Sequence, residues 1–105
     1  MSDQEIFNAI KTTVLSYIPD AEVLLFGSRA RRDFDKHSDY DILVISANAF
    51  TYRDKMNLET KIGKSLVHSL NAPFDVLLYN RKDFQLKKHL KGYVIYHALK
   101  DAVTL

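Results

Sequence analysis

A glycine and a serine closing one apolar run, arginines just beyond them, and two aspartates at the head of the next apolar run are residue types that handle phosphate and divalent metal. The first group is Phe26-Gly27-Ser28-Arg29-Ala30-Arg31-Arg32 and the second is Asp39-Tyr40-Asp41. Glycine lets the backbone approach a ligand closely and adopt conformations closed to other residues. If a helix begins just after it, over Arg29 to Arg32, its free N–H groups point at whatever lies above the turn. A phosphate suits that place, assisted by the Ser28 hydroxyl and nearby guanidinium groups. Taken alone, the Gly-Ser-Arg tripeptide would serve equally as an ordinary turn with a solvated basic face.

The aspartates sharpen the reading. Residues two apart on a strand project from the same face, so Asp39 and Asp41 point together while Ile42 and Val44 pack on the opposite side. Two like charges about 4 Å apart repel by roughly 4 kcal/mol at an effective dielectric of about 20, a cost that a divalent cation between them offsets. Oxygen-only ligands without His or Cys favour magnesium, with manganese the second choice, over zinc. Asp75, between Phe74 and Val76, interrupts a third apolar run where an unpaired charge is costly. Simpler roles exist for each residue: Asp39 as a cap, Asp41 as an exposed side chain, Asp75 at a solvent-facing edge. Together, three carboxylates from two strands facing a phosphate-binding turn are the parts of two-metal phosphoryl or nucleotidyl transfer. One ion orients the triphosphate and the other lowers the pKa of the attacking hydroxyl.

The elements that must position these residues follow from local pattern. Ser2 and Glu5 have capping-box spacing, and Ile6, Ile10, Val14 and Ile18 recur at helical intervals, predicting a helix over about residues 3–18 stopped by Pro19. Glu22 to Phe26 reads as a buried strand, Tyr40 to Ile45 as a second and Phe74 to Tyr79 as a third. Between the last two, Thr51 and Asp54 form a cap-like pair, and Met56, Ile62, Leu66 and Leu70 predict a helix to about Asn71. The remainder, Asp83 to Leu105, is mostly helical in pattern, against which Gly92 and the β-favouring Tyr93 to Tyr96 argue. The expected fold is α/β (α+β): a small mixed β-sheet packed by helices on at least one face, a two-layer domain.

The 105 residues suffice for a single domain over 1–105, and 47% apolar content argues against disorder. Lacking cysteine, the chain is no disulfide scaffold, which fits a reducing cytoplasm. The start of the chain is not patterned as a signal peptide, and no apolar run approaches the roughly 20 residues needed to span a bilayer. A net charge of +2 does not argue for nucleic acid, and no direct binding to it is expected. His37 reads as a solvated loop residue, and His68, His89 and His97 lack metal-ligand spacing. Lys87, Lys88 and Lys91 read as an exposed helix face; Tyr17, Tyr79, Tyr93 and Tyr96 read as core or interface residues.

Gly27-Ser28, ten residues, then Asp39-x-Asp41 resembles the signature of the polymerase-β-like nucleotidyltransferase superfamily. The Gly-Ser-Arg-Ala-Arg stretch and Ser38 to Val44 resemble in particular its minimal nucleotidyltransferases, the MNT antitoxins of HEPN/MNT toxin–antitoxin pairs. Those are about this long and carry a third aspartate in a Phe-Asp-Val-like strand. The resemblance implies that Gly27 and Ser28 hold the β- and γ-phosphates and that Asp39 and Asp41 bind two Mg2+ ions (Mn2+ being an alternative). It implies that Asp75 completes the metal site and acts as general base, and that Arg29 and Arg31 neutralise triphosphate charge. One position departs: the family commonly has glycine where this chain has Arg32, which bears on how the short helix ends.

The implied function is Mg-dependent transfer of AMP from ATP to a tyrosine hydroxyl of a partner HEPN RNase toxin, with release of diphosphate. Two alternatives stand beside it: an antitoxin acting by occlusion without catalysis, and nucleotidyl transfer to a small hydroxylated molecule. The base of the nucleotide is not legible, and exposed apolar helices leave room for a homo-oligomer or a toxin complex.

Overall fold

Caps and apolar spacing set the long elements of the computed structural model, which describes all 105 residues. Helix α1, Asp3–Tyr17, opens with a capping box: Glu5 N–H donates to Ser2 Oγ and Ser2 N–H to Glu5 Oε1, each at 3.2 Å. Strand β1 is Glu22–Phe26, and a single short helix, α2, Gly27–Arg31, follows it directly. Strand β2, Tyr40–Ser46, leads to helix α3, Tyr52–Leu70, which starts at Thr51, whose Oγ1 accepts from Asp54 N–H at 3.1 Å. Strand β3 is Phe74–Asn80. Asn80 then caps helix α4, Arg81–Lys87, its Oδ1 accepting from Asp83 N–H at 2.8 Å.

The chain finishes differently from its helical pattern. Helix α5 covers only Val94–Ala98, and Val103–Thr104 forms a strand, β4. Helix α4 has already ended at Lys87, and residues 88–93, with Gly92 and an extended Tyr93 (φ −105°, ψ 145°), turn the chain before α5 begins. Leu24 and Leu25 pair with Thr104 and Val103, closing an edge of β1 that would otherwise expose backbone groups.

The sheet is mixed, in the order β3-β2-β1-β4. Strand β1 runs antiparallel to β2 and β4, while β2 and β3 are parallel with α3 as their crossover. The expected two-layer arrangement is corrected by the second face. Val23, Leu25, Ile42, Val44, Val76 and Leu78 pack against Ile10, Val14, Ile62 and Leu66 of α1 and α3. On the other face Phe26, Leu43 and Ile45 meet Phe84 of α4 and Ile95 and Ala98 of α5. Strand β2 is apolar on both faces, as befits a strand covered twice. No helix is long and apolar enough to cross a membrane.

Candidate nucleotide and metal site

Register places three of the sequence-predicted residues, Gly27, Asp41 and Asp75, in one row. Phe26, which precedes Gly27, pairs with Asp41 on β2, and Asp41 pairs with Asp75 on β3. Neighbouring strands lie about 4.8 Å apart, so the row crosses three strands in about 10 Å. Asp41 follows the same alternation as Leu43 and Ile45, and Asp75 the same as Leu77. Both aspartates therefore sit at the open end of the face covered further along by α4 and α5. Asp39 precedes β2 and is exposed, as is Asp75, while Asp41 is half-buried.

Gly27 is required where it stands. Its φ is +74°, in the left-handed region, and a Cβ built on it would overlap the Asp41 carboxylate. Helix α2 starts here with Phe26 as its cap residue, so no side chain satisfies the first N–H groups. The helix thus begins two residues earlier than the arginine run suggests, and Ser28 lies inside its first turn.

None of the six ion pairs in the molecule includes Asp39, Asp41 or Asp75. Burial lifts the Asp41 carboxyl above the ordinary carboxylate range, and the charges of Asp75 and Asp39 lift it further, with Arg31 opposing. As the side chains lie, no three carboxylates or histidines close around a common point. Like charges on two exposed residues favour rotamers that spread apart. The donor set still fits a hard divalent cation: oxygen ligands only, free of ion pairs, with mutual repulsion that a cation relieves.

The two arginines separate. Arg31 donates to Asp33 Oδ2 at 3.1 Å and Asp101 Oδ2 at 3.4 Å, and its charge reaches Asp41. Arg29 is not brought to the row. Its Nε and Nη2 donate to the Ser38 carbonyl at 3.2 and 3.1 Å, and its guanidinium carbon is 4.3 Å from the ring centroids of both Phe34 and Tyr40. Arg29 therefore pins the loop immediately before Asp39. The sequence carries no local sign of this role, since the rings lie five and eleven residues away in different segments.

Arg32 occupies the left-handed region (φ 67°, ψ 25°) at the end of α2. That conformation explains why glycine suits the position; here the side chain pairs with Asp3 Oδ2 at 3.1 Å. Asp101 was not anticipated, because only the tail's return to the sheet brings it to Arg31.

Two concavities flank the row. One, of about 280 Å³, lies on the β1 side and is lined by Gly27 and Arg31 together with His97 and Asp101. The other, of about 630 Å³, lies between α3 and the outer edge of β3 and includes Asp75.

Comparison with known proteins bears on this geometry. The family model described as Polymerase beta, Nucleotidyltransferase matches residues 8–101. A chain from a crystal structure of a toxin–antitoxin with AMP-PNP is 26% identical, with a TM-score of 0.55 over 69% of this chain and 56% of that one. The present chain thus spans little more than half of that relative's length. A chain from the complex of a tri-AMPylated Shewanella oneidensis HEPN toxin with its MNT antitoxin is 17% identical, with a TM-score of 0.63 over 98% and 71% of the two chains. A minimal nucleotidyltransferase is 23% identical, with a TM-score of 0.62 over 99% and 97%. Among curated protein sequences no match was found.

Proposed function

The chain belongs to the polymerase-β nucleotidyltransferase family, and on that premise we propose that it transfers AMP from ATP to a tyrosine hydroxyl of a HEPN-type toxin, acting as that toxin's antitoxin. The row formed by Gly27, directly after β1, with Asp41 of β2 and Asp75 of β3 carries this reading. The nucleotide and partner components draw support from similarity to a toxin–antitoxin chain crystallised with AMP-PNP.

In this reading residues 1–105 act as one catalytic domain, and the uncapped first turn of α2, with the Ser28 hydroxyl, receives the β- and γ-phosphates. Arg31 adds positive charge beside them, while Arg29 works indirectly by fixing Ser38 and hence Asp39. Asp39, Asp41 and Asp75 would hold magnesium, or manganese in its place, as two ions. Bound there, the cations would neutralise triphosphate charge and offset the carboxylate repulsion. Asp75, the outermost of the three, takes the proton of the acceptor hydroxyl. The hydroxyl oxygen bonds to the α-phosphorus, the bond from that phosphorus to the α–β bridging oxygen breaks, and diphosphate leaves with the electron pair.

Exposed Leu86, Leu90 and Val94 near the α4–α5 turn support association with a protein partner. Such a pair belongs in the cytoplasm, where ATP and the toxin's RNA substrates are found.

The test is to incubate the protein with a HEPN toxin encoded beside it, ATP and magnesium, and weigh the toxin by mass spectrometry. A gain of one or more AMP masses, lost in Asp39→Asn, is expected. A toxin that stays unmodified yet inhibited would replace catalysis with occlusion. Labelling of a hydroxylated antibiotic instead would move the acceptor to a small molecule.

A further inference from the structure

The concavity between α3 and β3 is the larger of the two beside the carboxylate row, at about 630 Å³, and it lies opposite the phosphate turn. From the geometry we infer that it is the acceptor's entrance, and that the acceptor enters as an extended, acidic protein segment delivering a tyrosine to Asp75. The inference rests on the nucleotidyl-transfer reading and extends it to the part of the partner that is recognised.

The first support is an edge with room for another strand. Strand β3 is the outer strand of the sheet. Leu78 N–H points outward, where the Glu59 carboxylate accepts it at 2.9 Å. Backbone groups alternate along a strand, so those of Val76 point outward as well, beside Asp75. Glu59 already serves the Leu78 end, which leaves the Phe74–Val76 end open to an added segment. Recognition by strand addition uses such an edge, with side-chain pockets supplying specificity.

The second is Gly63. Glycine inside a helix is unfavourable, and packing does not call for it here. A Cβ at Gly63 would meet only Val76 Cγ2, at 3.9 Å, an ordinary contact. What its bareness does is keep the roof of the groove low in bulk directly above β3.

Charge and apolar surface then define the occupant. Lys64 and His68, one helical turn apart on the same face of α3, both line the groove and join no ion pair. The charge of Glu59 is taken up by Lys55 Nζ at 2.9 Å. Lys64, a cation without a partner, favours an acidic segment, and His68 adds a polar ring beside it. Val67 and Phe74 supply an apolar wall suited to a phenol ring. Asp75 lines the rim of this groove, and its carboxylate, which follows Leu77 onto the opposite face, is reached from here around the open edge of β3, on the side away from Gly27.

The test uses a dye-labelled glutamate–tyrosine copolymer as acceptor probe, a lysine–tyrosine copolymer as its control, and AMP-PNP with magnesium as donor probe. Wild type should bind the acidic copolymer in preference to the basic one. Gly63→Leu and Lys64→Glu should each weaken that binding by about tenfold, and Lys64→Arg should retain it. Both weakened variants should hold AMP-PNP within about twofold of wild type, since they lie outside the nucleotide side of the row. Gly63→Ala, which should melt higher than wild type, controls for folding. Absence of copolymer binding, or binding indifferent to Gly63→Leu and Lys64→Glu, overturns the inference. So does a selective loss of AMP-PNP affinity in those variants, which would assign the groove to the nucleotide base. Failure of wild type to bind AMP-PNP is a different result, and it removes the transfer reading itself.

Discussion

The space a side chain would fill at Gly27 is taken by the carboxylate of Asp41. Gly27 has a φ of +74°, and a Cβ there would overlap Asp41 Oδ2. The Gly27 turn and the Asp41 carboxylate are thus fitted to one another across the β1–β2 pair, and a side chain at position 27 must displace Asp41.

Gly27→Ala should therefore act twice. Left-handed strain and displacement of Asp41 should lower folding stability by about 1–3 kcal/mol. Magnesium-dependent AMP-PNP binding should fall by more than tenfold, or about 1.4 kcal/mol. Denaturant unfolding and titration calorimetry measure the two effects; wild-type values in both would mean that Asp41 relaxes freely away.

Asp41→Asn should separate stability from function. Burial and the neighbouring Asp75 and Asp39 raise the Asp41 pKa, so charging it opposes folding. The native state then binds the extra proton between the ordinary carboxylate pKa and the raised one, and stability must fall as pH climbs through that window. Above it the penalty persists. The asparagine variant should lose that slope, melt higher than wild type at neutral pH, and lose magnesium-dependent nucleotide affinity. Melting curves from pH 3 to 8, with magnesium omitted, are the measurement (a range set by ordinary carboxylate titration). A variant that melts lower throughout would mean that the Asp41 charge is compensated in the free protein.

Arg29→Lys should fail despite conserving charge. Lysine cannot reproduce the forked donation to the Ser38 carbonyl or the flat guanidinium between Phe34 and Tyr40. A loss of about 1–2 kcal/mol is expected. Amide hydrogen exchange over residues 33–39 should rise with it, because the loop before Asp39 loses its anchor. Unchanged exchange there would show that the loop holds itself.

Arg32→Gly should stabilise the fold. An L residue in the left-handed region costs about 1 kcal/mol, while the exposed Arg32–Asp3 pair returns only about 0–1 kcal/mol. Asp3→Asn isolates the pair. A glycine variant less stable than Asp3→Asn would show that the Arg32 side chain contributes through packing as well.

Much of the framework was legible because its signals are local. The capping pairs Ser2–Glu5 and Thr51–Asp54 begin the two long helices, and three short apolar runs are the three main strands. That Ile42 and Val44 pack on the face away from Asp41 could be anticipated because alternation assigns faces residue by residue; the register that aligns Asp41 with Phe26 and Asp75 could not. Long-range contacts stayed hidden. Strand β4 exists because β1 has an edge to fill, a fact held some 80 residues from Val103. The second helical layer depends on where α4 and α5 land. Nothing local to Arg29 announces that Phe34 and Tyr40 are brought around it, nor to Gly63 that α3 sets it over Val76 of β3.

Strand β2 also determines where the chain can change length. Ile42 and Val44 face α1 and α3, while Asp41, Leu43 and Ile45 belong to the opposite set. One residue inserted or deleted between Tyr40 and Ser46 would exchange the sets beyond that point, break the alignment with Asp75, and turn part of the strand inside out. In the loop from Asp33 to Ser38 the same event would be absorbed with far less damage. Length variation among descendants of this gene should therefore collect before Ser38 and after Ser46, leaving the strand between as a fixed ruler.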